Sequence, residues 1–335
     1  MSVTQITLLF EDLGLLATAA PHEFRCPSLE LILARGTYTH IDLPSANHLR
    51  FHLYGIDRSG DLPVAALTHV NVRDHVHSND YFWLRSVPVT MWADMARVFM
   101  SDYGFADLDP YERNEIENCI RAVLTDEGIN MHSDHPERWC IALDKPLDFE
   151  FTPLDEALGM NVADALPEHP EALHWRRILN EIQVALHHCP VNVRRRQLGK
   201  QEINSVWFWG GGFIPDAAPH DLFDTVYSNN PVSRGLAIIN DCRLKRKYEA
   251  EMAFFGRDGH SVLIDWSVES RDPLRELNHM EKLSGALLAQ VRSGHAVLRL
   301  FDGSGKGWEY DRRSQRRLWR RRVPLKQIFP SSPAE

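Results

Sequence analysis

Short apolar runs alternate with amphipathic helical stretches along most of the chain, and this alternation constrains the fold more than any other feature. Residues 6–10, 206–209 and 296–301 form short runs that are mostly apolar, as is typical of buried strands. Residues 171–188 and 273–291 instead carry apolar side chains at helical spacing. The alternation predicts an α/β fold with a mixed sheet flanked by helices.

Local signals place several element boundaries. Asp109, Pro110 and Glu112 form the pattern of a capping box with proline in the first turn, which predicts a helix that continues to about residue 126. Residues 235–239 are predicted as a strand, because they form an apolar run. Residues 253–255 and 262–266 are predicted to pair as a β-hairpin around a turn that contains Asp258 and Gly259.

Composition limits the class of protein. A chain of 335 residues with 44% apolar residues can bury the core of one large domain or of two closely packed ones. It has no uninterrupted apolar stretch of membrane-spanning length and no basic leader, so we expect a cytoplasmic protein without a membrane contact. The five cysteines are scattered and form no CxxC pair, which indicates free, buried thiols.

Charge is distributed unevenly. Residues 312–326 contain seven arginines, one lysine and no acidic residue, whereas the whole chain has a net charge of −9. Without those eight positive charges the remainder carries −17, so general nucleic-acid binding is not expected. The basic segment is interpreted as the charged edge of a last strand, packed through Leu318 and Trp319. The alternatives are contact with a nucleic acid or acidic partner, and self-association against the acidic body.

The segment from residue 190 to residue 212 joins a basic loop to a strand that ends in three glycines. Guanidinium and ammonium groups suit phosphate or carboxylate oxygens, and glycines allow backbone N–H groups to approach an anion closely. The alternative is a solvated loop followed by core tryptophans beside a tight turn. The candidate ligand-binding residues are Asn192, Arg194, Lys200, Asn204, Trp207, Trp209, Gly210, Gly211 and Gly212.

Two groups of histidines and aspartates have side chains that suit zinc or manganese, but neither has the spacing of a helical metal site. We therefore interpret them as polar loop residues and predict no metal ligands and no cofactor. The first group is His69, Asp74, His75, His77 and Asp80, and the second is His132, Asp134 and His135.

The order of residues from Leu186 to Gly212 resembles a known family. The pattern LHxxPVNxxRxxxGKxxxNSxWFWGGG, continued by Pro215, Tyr227 and Pro231, is similar to bacterial regulatory proteins of the RpfE type. Those proteins are relatives of the archaeal-type cofactor-independent phosphoglycerate mutases, which carry a similar series. The resemblance implies an alkaline-phosphatase-like fold with a smaller inserted subdomain, here expected around residues 85–200 of a single α/β unit.

True mutases of this type use two divalent metals and a serine or threonine nucleophile. Asp12 could match a first metal ligand, but the family's D-x-x-x-H-x-G-D metal motif has no match between Asp265 and Leu288, and Thr18 and Ser28 are poorly placed as nucleophiles. The resemblance therefore implies a regulatory protein on a degenerate mutase scaffold, which binds a small phosphorylated or carboxylated ligand or a partner protein. The alternative is a phosphoglycerate mutase or phosphatase that uses manganese or zinc, with ligands from the histidine groups.

Overall fold

The chain divides into two compact units. The first comprises Met1–Arg58 and Asp216–Glu335, and the second, Ser59–Pro215, is inserted into it. The subdomain expected around residues 85–200 lies within this insert. The computed structural model describes residues 3–56, 60–70, 80–94, 97–103, 108–217, 222–255, 259–270 and 272–330.

The strands are β1 (Thr4–Phe10), β2 (Thr37–His40), β3 (Phe82–Asp94), β4 (Arg97–Tyr103), β5 (Asn130–His132), β6 (Cys140–Leu143), β7 (Ser205–Gly212), β8 (Thr225–Ser228), β9 (Arg243–Lys245), β10 (Ser261–Trp266), β11 (Ala296–Asp302) and β12 (Lys306–Tyr310). The helices are α1 (Leu13–Ala19), α2 (Pro27–Arg35), α3 (Ala46–Leu53), α4 (Val64–Val70), α5 (Pro110–Asp126), α6 (Leu154–Ala157), α7 (Val162–Ala165), α8 (Ala172–His188), α9 (Pro190–Gln197), α10 (Pro231–Ile239), α11 (Pro273–Arg292) and α12 (Leu325–Ile328). Short 3-10 helices cover Lys247–Met252 and Ser314–Arg316.

A seven-stranded mixed sheet forms the first unit, in the order β2-β12-β11-β1-β10-β8-β9. The strands from β11 to β9 run parallel to one another, and β12 and β2 are antiparallel at one edge. Because successive side chains of a strand point to opposite faces, β1 contributes Ile6, Leu8 and Phe10 to the face covered by α1, α2 and α11. Leu9 packs with Leu49 of α3 on the other face.

A second, five-stranded antiparallel sheet forms the insert around the long strand β3. β3 pairs with β4 near its carboxyl end, with β6 near its amino end and with β7 over most of its length. The predicted helical stripe of residues 171–188 is confirmed in α8, where Trp175, Ile178 and Ile182 are buried in the core that this sheet shares with α5.

The capping box predicted at residue 109 is confirmed. The Glu112 backbone N–H donates to Asp109 Oδ1 over 2.8 Å, and the Asp109 backbone N–H donates to Glu112 Oε2 over 3.4 Å. Pro110 occupies the first turn, where its missing N–H costs nothing. These local interactions fix the start of α5 independently of tertiary packing.

Two local predictions were wrong. Residues 235–239 belong to helix α10 rather than to a strand, because Asn230 caps the helix by accepting from the backbone N–H groups of Val232 and Ser233. Residues 262–266 form β10, which pairs in parallel with β1 and β8, and residues 253–255 lie outside the strands. The partners of β10 are thus the parallel strands β1 and β8, which are distant in sequence, and not residues 253–255.

The basic segment is also different from the predicted edge strand. It contains a 3-10 turn, and Leu318 and Trp319 are 71% and 75% exposed. Arg317 donates to the carbonyl oxygen of Arg35 over 2.8 Å, and Arg320 donates to that of Gly36 over 2.9 Å. The two arginines therefore satisfy carbonyl groups at the carboxyl end of α2.

The predicted fold class, a mixed sheet flanked by helices, is confirmed by this architecture. Among the described residues, no helix is both long and apolar enough to cross a membrane. The cysteines are free, and Cys26, Cys140 and Cys189 are buried.

Candidate functional site

The carboxyl ends of the parallel strands bring several polar side chains to one edge of the first unit. Glu11 and Asp12 directly follow β1, and Asp265 lies near the end of β10, opposite Leu9 in the strand register. In open α/β sheets this edge is where ligands usually bind. This edge is therefore the first candidate for a functional site in this unit.

Arg50 of α3 occupies the centre of this edge. Its Nε donates to Asp265 Oδ2 over 2.8 Å and its Nη2 to Asp265 Oδ1 over 3.2 Å, so it binds one carboxylate through two parallel hydrogen bonds. The same guanidinium donates to Glu11 Oε2 over 2.6 Å and to Glu11 Oε1 over 3.1 Å. Asn47, one turn earlier in α3, accepts a further hydrogen bond of 3.0 Å.

Burial makes this ion pair unusual. The side chains of Arg50 and Asp265 are 1% and 0% exposed, and that of Glu11 is 25% exposed. Burial alone would lower the pKa of Arg50, but the carboxylates of Asp265 and Glu11 outweigh it and raise the pKa above its ordinary value. Arg50 is therefore a permanent cation held between two acids. The buried hydroxyl of Ser233, near the start of α10, donates to Asp265 Oδ2.

Asp12 lies beside this network. Its pKa is raised, first by burial and then by the neighbouring Glu11 carboxylate, while Arg50 and a hydrogen bond from the Val268 backbone oppose the rise. Glu11 and Asp12 thus differ: the first is paired with a cation, and the second is half-buried and held by a backbone amide.

The two-metal centre implied by the resemblance does not fit these residues. The ligands for a divalent cation at this edge would be carboxylate oxygens, and the oxygens of Glu11 and Asp265 already accept from Arg50. Within the described ranges, no group of three or more histidine, cysteine or acidic side chains could hold a metal. The residues at this edge therefore do not support a metal-dependent reaction step.

The predicted histidine groups are only partly described. Asp74, His75 and His77 lie outside the described residues, and Asp80 is exposed. The His69 ring stacks on Trp83 with a centroid distance of 3.9 Å, and the His132 ring meets Trp83 edge-on at 5.1 Å. Both rings pack against the indole.

The amide side chains of the predicted anion pocket bind backbone groups of the insert. Asn192 is fully buried; its Nδ2 donates to the carbonyl oxygens of Leu186 and Ile203, and its Oδ1 accepts from the Ile203 backbone N–H. Asn204 forms two hydrogen bonds of 2.7 Å with the backbone of Met91. Each amide thus joins two segments of chain.

The predicted basic loop is the helix α9, whose end explains the Gly-Lys pair. Gly199 has a φ of +67°, and its backbone N–H donates to the carbonyl oxygen of Arg196. The backbone N–H of Lys200 donates to the carbonyl oxygen of Arg195 over 2.9 Å. These two bonds form a Schellman motif, the common way in which glycine ends a helix. Arg194 and Lys200 are exposed.

The N-x-x-R spacing of the motif falls on Arg195 rather than on Arg194. Arg195 is 1% exposed, and its Nη1 donates to Glu112 Oε2 over 2.9 Å. The arginine at the N-x-x-R position of the motif thus connects α9 to the capped start of α5.

The tryptophans of the segment lie in β7, and the three glycines are the last residues of that strand, as predicted. Trp207 is fully buried, and its Nε1 donates to the carbonyl oxygen of Thr152, while Trp209 is half-buried. A Cβ at Gly210 would lie 3.2 Å from Cβ of Val64, and one at Gly212 would lie 2.6 Å from Cβ of Pro63.

The backbone N–H of Gly211 donates to Asp61 Oδ2 over 2.7 Å. Gly210 and Gly212 therefore let the start of α4 and the residue before it approach β7 closely. Anion binding by the nine predicted residues stays a prediction.

Sequence reasoning missed the buried cations of the first unit. Nothing in the local sequence distinguishes Arg50, which stands between Leu49 and Phe51 in a short helix. Lys247 is also fully buried; its Nζ donates to the carbonyl oxygen of Ser267 over 2.5 Å and lies 5.0 Å from the centroid of the Trp266 ring. Each of these two cations meets its own partners only in the folded chain.

Comparison with known proteins supports the mutase-like scaffold. No protein-family model matches the chain. A segment of 122 residues is 25% identical to the 2,3-bisphosphoglycerate-independent phosphoglycerate mutase of Methanosarcina barkeri, and covers 36% of this chain and 31% of that protein. A probable 2,3-bisphosphoglycerate-independent phosphoglycerate mutase of Geobacter sulfurreducens is 24% identical over 144 residues, which cover 42% of this chain and 36% of that protein.

One solved structure has a similar fold over most of the chain. The PH0037 protein from Pyrococcus horikoshii has a TM-score of 0.54 and 13% identity over 92% of this chain and 86% of its own. The cofactor-independent phosphoglycerate mutase from Thermoplasma acidophilum has a TM-score of 0.46 and 16% identity over 93% and 90%. The similarity to the PH0037 structure agrees with the predicted mixed α/β fold. The chain spans about a third of the length of the curated relatives it matches.

Proposed function

We propose that this chain is a binding protein on a phosphoglycerate mutase-like scaffold, and that it acts without metal-dependent turnover. The observation that carries the proposal is the buried guanidinium of Arg50, which pairs with both Glu11 and Asp265 at the carboxyl edge of the sheet. The scaffold is supported by the sequence matches to phosphoglycerate mutases. The regulatory role implied by the resemblance is consistent with such a protein.

The electrostatics of the edge support binding without a metal. Two-metal phosphoryl transfer requires closely spaced cations to neutralise the attacking and leaving oxygens. At this edge both carboxylates already share one permanent positive charge, that of Arg50, whose pKa lies above its ordinary value. To bind a metal there, the carboxylates would have to break four hydrogen bonds with Arg50 and leave a buried cation unpaired.

The ligand we propose is a small phosphorylated or carboxylated molecule, with a partner protein as the alternative occupant. A protein of this kind fits the expected cytoplasmic location. The nine candidate residues of the insert remain the predicted site for the anion, and the exposed Arg194 and Lys200 are the members whose charges are accessible.

Metal binding and turnover test the proposal together. The purified chain is dialysed against manganese and then zinc, its metal content is measured by elemental analysis, and conversion of 3-phosphoglycerate is followed with each metal. We expect no tightly bound stoichiometric metal and no conversion above the metal-only background. About two tightly bound ions per chain, together with conversion of 3-phosphoglycerate, would overturn the proposal in favour of a metal-dependent mutase or phosphatase.

If metal binds, two variants separate the sources of its ligands. Asp12→Asn removes the half-buried carboxylate beside Arg50, and the double variant His75→Ala/His77→Ala removes the first histidine group. Loss of metal together with loss of conversion would identify the source of the ligands, the carboxyl edge for Asp12→Asn and the first histidine group for His75→Ala/His77→Ala. Either result would contradict the binding-only function.

A further inference from the structure

A cavity of about 580 Å³ opens in the insert, between the end of the β3–β4 pair and the helices α7 and α8. Its volume lies within the range of small-molecule sites, roughly 300–1,000 Å³. Met91 and Leu179 are buried parts of its wall, and Leu166 adds a third apolar surface. All its lining residues belong to the insert, so the cavity is complete within this unit.

An exposed aromatic side chain marks the mouth of this cavity. Trp92 is 49% exposed, and its ring stacks on that of Phe99 with a centroid distance of 5.2 Å. Val98 is 40% exposed beside it. Large apolar side chains are normally covered in a single chain, and two at the entrance of an apolar cavity suit a ligand with an apolar body.

Arg176 supplies a positive charge within the lining. Its Nη2 donates to the carbonyl oxygen of Pro167 over 3.2 Å, and this contact orients the guanidinium. Its Nε is buried and, within the described residues, has no hydrogen-bond partner. Among those residues no carboxylate lies within ion-pair distance of Arg176, whereas its neighbour Arg177 pairs with Glu127 over 2.8 Å.

Apart from Arg176, the polar side chains of the lining are the amides of Asn161, Asn180, Gln183 and Asn204 and the imidazole of His187. Asn180 and His187, both exposed, lie along the same face of α8 as Arg176, and no acidic residue lines the described cavity. The amide of Asn204 also lines it, but is bound to the backbone of Met91. An apolar cavity with one orienting cation and no acid matches a ligand with an apolar body and a single anionic group.

We infer that this cavity binds a small carboxylic acid with an apolar body, of the size of a medium-chain fatty acid, whose carboxylate pairs with Arg176 and whose body lies against Trp92, Met91 and Leu179. The site is separate from the Arg50 edge, so the inference does not depend on whether that edge is catalytic. It is also separate from the exposed Arg194 and Lys200, which do not line the cavity.

Octanoate is the first probe and octanol its neutral match, with binding measured by calorimetry and by the intrinsic tryptophan fluorescence of the chain. We expect saturable octanoate binding at one site per chain. Arg176→Gln should weaken octanoate binding at least 10-fold, while octanol binding changes less than 2-fold. Arg177→Gln, which removes an equal charge one residue away, should leave both unchanged. Ala163→Phe, at an exposed lining position, should weaken both probes by blocking the apolar space.

Three results would overturn the inference. The first is the absence of saturable octanoate binding to the unmodified chain. The second is an equal loss in Arg176→Gln and Arg177→Gln, which would show attraction by general charge rather than by this site. The third is full octanoate binding by Ala163→Phe. Octanol binding by Arg176→Gln shows whether that variant is folded. A loss of octanoate binding caused by unfolding is thereby distinguished from the loss of the carboxylate contact.

Discussion

Arg50 and Asp265 are joined by two parallel hydrogen bonds, from Nε to Oδ2 over 2.8 Å and from Nη2 to Oδ1 over 3.2 Å, with both side chains buried. A planar guanidinium matches a carboxylate in this way, and a lysine cannot. The pair connects α3 to the interior strand β10. Glu11 connects Arg50 to the end of β1. The edge that would otherwise carry uncompensated negative charge is thereby turned into part of the folded core.

We expect Arg50→Met to destabilise the protein by about 3–5 kcal/mol, because it leaves Asp265 buried without its cation. Urea unfolding followed by fluorescence measures the change. Arg196→Met is the matched control, since Arg196 pairs with Glu202 at the surface and should cost no more than about 1 kcal/mol. Equal effects of the two substitutions would mean that the buried pair makes no special contribution.

A second prediction separates structure from binding in the segment around residue 192. Asn192→Ala should cost about 2–3 kcal/mol, because it removes three buried hydrogen bonds to the backbone of Leu186 and Ile203. The double variant Arg194→Ala/Lys200→Ala should stay within about 0.5 kcal/mol of the unmodified protein, because both side chains are exposed.

The same double variant tests the predicted anion pocket. We expect it to abolish binding of small phosphate esters, measured by calorimetry with 3-phosphoglycerate, while the unfolding curve is unchanged. Binding that is equal in the double variant and the unmodified protein would remove Arg194 and Lys200 from any ligand site.

The elements that the sequence predicted correctly are those with local causes. The capping box at Asp109 is determined by residues within one helical turn, and the stripe of α8 by its own periodicity. The predicted strand at 235–239 failed, because Asn230 and Pro231 start a helix that runs through the apolar run. The predicted hairpin failed, because β10 has more distant partners.

The candidate site was harder to predict for the same reason. Arg50 and Asp265 are 215 positions apart in the sequence, and no local pattern relates them. The segment 190–212 drew attention because it is rich in arginine, glycine and tryptophan, yet such residues serve equally in packing. Gly199 ends a helix, and Gly210 and Gly212 make room for the start of α4 and the residue before it. Sequence alone does not distinguish a glycine near an anion from a glycine near a neighbouring backbone.

A third prediction concerns the basic segment. Arg317→Ala should destabilise the protein by about 1–2 kcal/mol, because the guanidinium donates to the Arg35 carbonyl oxygen and to Thr37 Oγ1. Arg321→Ala is the control, since Arg321 is exposed, and should have little effect. Thermal unfolding of both variants measures the difference.

Nucleic-acid binding by this segment is tested separately. We expect no salt-dependent binding of DNA or RNA at low ionic strength, since the rest of the chain carries −17. Steep salt-dependent binding that is lost in the triple variant Arg316→Ala/Arg317→Ala/Arg320→Ala would contradict this expectation.

The last prediction is a pH dependence of stability that originates in the insert. Burial first, and the Glu150 carboxylate to a smaller extent, raise the pKa of Asp61 to about 7, against the opposing effect of the hydrogen bond from the Gly211 backbone N–H. The folded state then binds the proton more tightly than the unfolded state, whose pKa is near the ordinary value of 3.8. Stability from this group is therefore fully present below about pH 4 and is lost as the pH rises towards 7.

Asp61→Asn removes this proton-binding group and keeps an oxygen that can accept from Gly211. We expect the variant to gain stability relative to the unmodified protein as the pH rises from 4 to 8, by up to roughly 4 kcal/mol at 1.36 kcal/mol per pKa unit. Urea unfolding at a series of pH values gives the difference, and Asp144→Asn, at an exposed position, is the control. A constant difference between Asp61→Asn and the unmodified protein across this range would show that Asp61 does not titrate there. The carboxylate would then be ionised throughout and stabilised by the amide of Gly211.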